Sequence, residues 1–301
     1  MDRNHKHFSK VKESGAFKDK IYESLIDDCV RNQVFNGELD NDQCDSPKVF
    51  EFLKLVKQEK ESQFDTCNGL SEDEFKQVVK QSKRQSTSSI FSKRDYSVYK
   101  CVMHSERMTT VLVRFHNAML KHKHYLKRWL DVLDVMLEKG KGTRINKLRV
   151  IQIIEADLQL LMRIFLGTRL ELKLEEDERL SKHNYGSRKG FSIDSALLEK
   201  RLLFDYAKRK EESNVCLTSD LEACYDRQLP NIGGLVAESV GANRNMMKIL
   251  SKALPKCNHY VGTAHGISTR YYGGEDDNLG GTGQGNVFFW KCMQRCVMFN
   301  F

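Results

Sequence analysis

The chain has 301 residues, 40% hydrophobic and 30% charged, and carries a formal net charge of +8 at neutral pH. The polar start MDRNHKHFSK has no apolar secretory core, and no run of eighteen apolar residues occurs, so neither a signal peptide nor a membrane-spanning helix is expected. Nine scattered cysteines in such a chain read as reduced thiols rather than a disulfide framework, which fits a globular nuclear or cytoplasmic protein, and three prolines suit a helix-rich body.

The charge is unevenly spread. Residues 1–50 carry 8 Lys and Arg against 10 Asp and Glu, whereas residues 101–150 carry 11 against 4, a net +7. A basic block of that kind attracts a polyanion, of which nucleic acid is the commonest, and the alternative is a solvated helix face.

In chain order, residues 1–95 read as a helical, partly disordered leader. Ser46-Pro47 before KVFEFLKLVKQEK gives a cap, a proline at the first helical position and apolar residues at helical spacing. SEDEFKQVVKQ carries a capping box, Ser71 with Glu74. The basic, serine-rich run 80–94 reads as a linker. From 107, MTTVLVRFHNAMLKHKHYLKRWLDVLDVMLEK reads as one long helix, basic in its middle. The alternating Lys and His of KHKHYLKR point in different directions on a helix, which argues against a metal site.

Gly140 and Gly142 break that helix. LRVIQII is β-branched and of strand length, EADLQLLMRIFLG reads as a helix closed by Gly167, and KLEEDERLS reads as an acidic connector. NYGSRKGFSIDSALLEKRLLFDYAKRK is a glycine-punctuated turn leading into an amphipathic helix. NVCLTSD reads as a strand. RQLPNIGGLVAESVG and NRNMMKILSKAL read as helices parted by Gly241, and HYVGTAHG with TRYYGG as a short hairpin. Strands interleaved with helices predict a mixed α+β body.

Four stretches are candidates for chemistry. Asp220 stands at the end of an expected strand, where a carboxylate can bind magnesium; Asp226 suits a helix cap. In GGTGQGN the glycines permit close backbone approach to a ligand, and Gln284 sits between two of them; no Gly-Lys-Ser/Thr follows, so this is not a phosphate loop of the Walker type. Arg188 and Lys189 lie in a glycine-flanked turn. Lys147 and Arg149, two apart at a strand start, share a face and can reach one triphosphate. Singly, each basic pair reads better as a solvated surface pair. Cys292 and Cys296, with Cys257 and His259 upstream, have a spacing that fits zinc or simple helical neighbours.

In this order the four stretches resemble the reverse transcriptase domain of retroelements of the non-long-terminal-repeat kind, over roughly residues 125–286. NKLRVIQIIEAD and NYGSRKGFSIDSALL are similar to its fingers motifs, SDLEACYD to motif A of the palm and GTGQGN to motif B. The resemblance implies fingers over 96–210 and a partial palm over 211–286, followed by an atypical tail at 287–301: a truncated right-hand polymerase fold. It implies a nucleotidyltransferase, an RNA-directed DNA polymerase taking an RNA template, a DNA primer and deoxynucleotides.

The roles it implies are these. Asp220 binds two magnesium ions, with the carbonyl of Leu221 as a further ligand. Tyr225 is the aromatic gate against a ribonucleotide hydroxyl, and Gln284 and Gly285 lie near the incoming nucleotide. Arg149, supported by Lys147, holds the triphosphate, and Arg188, Lys189 and Gly190 guide the template. The family also needs an aromatic-x-Asp-Asp hairpin after motif B. The Asp-Asp pairs here, Asp27-Asp28 and Asp276-Asp277, have neither that form nor that place. One carboxylate does not position two ions, so an incomplete, inactive domain is expected, or a non-catalytic nucleic-acid-binding protein derived from a retroelement.

Overall fold

The structure is a computed structural model that describes residues 15–56, 69–82, 92, 94–138, 148–186, 188, 190–216, 225, 228–275, 277 and 281. A four-stranded mixed sheet is formed by β1 (Asp131–Glu138), β2 (Leu148–Ile153), β3 (Asn258–Thr263) and β4 (Gly266–Gly273), in the order β2-β1-β3-β4. β1 and β2 are antiparallel, in register from Leu133 opposite Ile153 to Glu138 opposite Leu148. β1 and β3 are parallel, which requires a long crossover, and the chain supplies it as the helices between Ala156 and Ala253. β3 and β4 form an antiparallel hairpin turned at Gly266, whose φ of 128° is open to glycine alone. The expected strand LRVIQII and the expected hairpin are both present.

Twelve α-helices are formed among the described residues before and after β1. They are α1 (Gly15–Lys18), α2 (Ile21–Ser24), α3 (Asp28–Asn36), α4 (Pro47–Leu55), α5 (Glu72–Gln81), α6 (Tyr96–Val102) and α7 (Glu106–His122), then α8 (Ala156–Met162), α9 (Glu171–Glu176) and α10 (Ile193–Lys210), with α11 (Pro230–Ser239) and α12 (Arg244–Ala253) completing the set. The capping box of α5 is formed as read: Ser71 accepts from the Glu74 amide while Glu74 accepts from the Ser71 amide. Pro47 opens α4 at its first turn. Gly241, at φ 101°, parts α11 from α12.

Two expectations are corrected. The long helix from 107 stops at His122, where Lys123 takes the left-handed conformation at φ 52°, and Asp131–Glu138 is a strand. Its Val and Leu residues pair with strands on both sides, and this pairing outweighs a spacing that also fits a helix. The helix expected to close at Gly167 runs on: a π-helical stretch, Arg163–Leu170, joins α8 to α9, so part of the acidic connector is helical. Ile164, Phe165, Leu166, Leu170 and Leu174 are buried along it, and that burial holds Gly167 in the helix despite its poor propensity.

Two apolar cores hold these layers. The larger joins Phe75 and Val79 of α5 and Trp129 before β1 to Leu161 and Phe165 and to Met246 and Leu250 of α12. The smaller packs Leu25, Val34 and Leu53 against Leu235 and Val236 of α11. Residues expected as a leader therefore share their cores with residues 156–257. Each such fully buried side chain contributes about 1.5–3 kcal/mol. No helix among the described residues is long and apolar enough to cross a membrane.

Candidate nucleic-acid interface

The β1–β2 pair carries Arg149 on its outer strand, opposite Leu137. The strand pleat turns Arg149 outward, and it is exposed while its neighbours Leu148 and Val150 are half-buried. Arg149 has no ion-pair partner among the described residues. Lys147 lies outside them.

The glycine-flanked turn is built differently from a free basic loop. Arg188 spends its guanidinium inward: Nε and Nη2 donate to the two oxygens of Glu175, at 2.7 and 2.6 Å, and Nη1 donates to the carbonyls of Ser181 at 2.7 Å and Asn184 at 3.2 Å. The same group lies 4.0 Å from the centroid of the Phe191 ring. This bidentate pair pins the turn to the end of α9 and pushes the Arg188 pKa up further, chiefly through Glu175. Tyr185 donates to Glu199 of α10, closing the turn on that helix. Gly190, at φ 84°, lets the chain reverse before Ser192 caps α10. Arg188 is thus the clamp of this turn. Lys189 lies outside the described residues.

Asp220, Leu221, Gln284 and Gly285 also lie outside the described residues. Tyr225 is in a turn and half-buried. The flanks of the Asp220 and Gln284 stretches are nonetheless joined. The amide of Gly281, three residues before Gln284, donates to the carbonyl of Gln228, eight residues after Asp220, at 2.7 Å. Among the described residues no group of three or more His, Cys, Asp and Glu is placed to hold a metal ion. Of the zinc candidates, the Cys257 thiol is buried and donates to the Ala253 carbonyl at 3.4 Å, and His259 faces Asp134; Cys292 and Cys296 lie outside the described residues. Asp277 donates its amide to the Gly274 carbonyl at 3.2 Å in a turn after β4.

The sequence did not disclose a charged cluster joining α3, α7, α11 and α12. Asp28 meets Lys248 at 2.5 Å and Lys123 at 2.9 Å, Arg244 at 3.8 Å. Glu238 bridges Arg31 and Arg244. The hydrogen bond from Lys248 holds the Asp28 carboxyl down at about 2, while burial pulls the Lys248 ammonium below its ordinary value. Four cations stand against two carboxylates here, so the cluster as a whole is net positive. The one signal was Lys248 itself, a cation inside the apolar run of α12.

No protein-family model matches the chain, and no curated protein matches it.

Proposed function

We propose that the chain is the fingers and first part of the palm of an RNA-directed DNA polymerase of the reverse transcriptase kind, working as a nucleic-acid-binding unit without turnover. The observation that carries this reading is the hydrogen bond from the Gly281 amide to the Gln228 carbonyl. In this reading it holds the start of motif B against the chain leaving motif A, the two walls between which an incoming nucleotide must fit. The outward Arg149 and the clamped turn at Gly190 support it, as triphosphate contact and template guide. Lys189 would supply that turn's charge, because Arg188 is committed to Glu175.

Magnesium belongs to this reading as the ion that Asp220 and the Leu221 carbonyl would hold, with Tyr225, Gln284 and Gly285 around the nucleotide. When bound, it would offset phosphate charge. Two ions roughly 3.5–4 Å apart need more than one carboxylate to position them, so this donor set does not fit the two-ion chemistry, and no catalytic step is derived through it. The partners are an RNA template, a DNA primer and deoxynucleotides, met in the nucleus or cytoplasm.

The test is fluorescence anisotropy with a labelled DNA primer on an RNA template, titrated at several salt concentrations, beside a primer-extension assay. Binding should weaken linearly in log salt, and Arg149→Ala should weaken it further, without extension in magnesium. No binding at low salt would overturn the reading. Extension abolished by Asp220→Asn would overturn the absence of turnover.

A further inference from the structure

Across the eighteen residues of α10, Ala207 is the buried side chain. Leu198 and Leu202 are 58% exposed and Tyr206 56%, and their spacing of four puts them in one stripe. Ile193, Leu197 and Phe204, also exposed, lie on the opposite side. A helix with apolar groups on opposite sides is a buried element, not a solvated one, and a contiguous exposed apolar stripe marks an interaction surface.

We propose that a second copy of this chain covers the Leu198–Leu202–Tyr206 stripe, with the two α10 helices antiparallel. The charges along the stripe's flank select this occupant. Asp194, Arg201, Asp205 and Lys208 project on one side of it, all exposed and without an ion-pair partner among the described residues. A two-fold axis at Leu202 sets Leu202 on the partner's Leu202 and Leu198 on the partner's Tyr206. It also sets Asp194 beside the partner's Lys208 and Arg201 beside the partner's Asp205, each pair formed twice. The helix dipoles then oppose, with the acidic first turn of one helix near Lys208, Arg209 and Lys210 at the end of the other. A parallel pair would set this flank against the partner's other flank, so neither of these ion pairs would form. Such an interface is isologous and closes at two copies. The opposite stripe lacks this complementarity, because Lys200 lies within it and would face itself.

Sedimentation of the full-length chain tests this proposal, which stands apart from the nucleic-acid reading. The wild-type chain should sediment as two copies. Leu202→Glu should sediment as one with unchanged helical circular dichroism, and Leu197→Glu on the opposite stripe should remain two. Asp205→Arg should weaken association on the order of tenfold, and adding Arg201→Asp should restore it. If Leu202→Glu unfolds, the charge-reversal pair decides. A single-copy wild type, a dimer indifferent to Leu202→Glu, or no recovery in the double reversal would overturn the proposal.

Discussion

Arg31 on α3 and Glu238 on α11 form an ion pair shut away from water, with side-chain exposures of 0% and 5%. The pair ties the first helices of the chain to its last third. Arg31 Nε also donates to the Leu25 carbonyl at 2.6 Å, and Arg244 reaches the other Glu238 oxygen. Burial works against the charged guanidinium and Glu238 works for it. Breaking such a pair from one side leaves a buried charge and costs about 3–5 kcal/mol, whereas replacing both partners by apolar groups is often neutral. Arg31→Met should therefore destabilise strongly in urea unfolding, and Arg31→Met with Glu238→Leu should recover part of the loss. Equal losses in the single and double variants would show that the pair is not the cause.

Glu74 meets Arg169 through both carboxylate oxygens, at 2.6 and 2.7 Å, and caps α5 through Ser71. Arg169 first, then the Ser71 contacts, hold its carboxyl down at about 2, from an ordinary 4.5. The folded pKa is the lower one, so the stability this group contributes is present above pH 4.5 and is lost as pH falls toward 2. Glu74→Gln retains the capping geometry and removes the ion pair. It should cost about 1 kcal/mol at neutral pH and flatten the stability profile across that acid window. An unchanged acid profile in Glu74→Gln would remove the role given to this pair.

The elements legible in the sequence were those set by local pattern. Ser71 with Glu74, Pro47, Gly241 and the β3–β4 hairpin act within a few residues, and LRVIQII is β-branched enough to declare a strand. β1 was not legible, because VLDVMLE fits helical spacing, and partners on both sides decide its state. The continuation through Gly167 was hidden for the same reason: packing of Phe165 and Leu170 outweighs a glycine's propensity. At the candidate interface, Arg149 on a strand was readable from its position. The clamp on Arg188 was not, because Glu175 reads as one acid among several in KLEEDERLS and its partner is fixed by the turn's path. Asp28, Lys248 and Arg31 come together only through the long-range packing of α3 on α11 and α12.

Cys29, Cys101 and Cys216 are exposed, whereas Cys44 and Cys257 are buried. Burial pushes the Cys257 thiol up to about 12, with smaller contributions from Asp134 and Asp131. The thiolate is the reacting form, so alkylation of the native chain should label Cys29, Cys101 and Cys216 and spare Cys257 until denaturant is added. Mass spectrometry of tryptic peptides reads this directly. Early labelling of Cys257 would contradict its burial in the larger core.

Asp134 on β1 is fully buried and accepts from Tyr272 of β4 and from His259 of β3, the latter at 3.3 Å. The His259 and Tyr272 rings stack at 5.1 Å between centroids, so one carboxylate fastens three strands at once. A buried carboxylate that loses a donor keeps its desolvation cost, about 1–3 kcal/mol. Tyr272→Phe should cost that much in urea unfolding, whereas Tyr271→Phe on the exposed side of the same strand should cost almost nothing. The effect should also travel. β4 runs from this triad into the chain that reaches Gly281, so loosening the hairpin should speed hydrogen exchange at the Gly281 amide, which is bonded to Gln228. A Tyr272→Phe variant as stable as the wild type would sink the triad's role. A destabilised variant with unchanged exchange at Gly281 would instead separate the sheet from the contact on which the nucleic-acid reading rests.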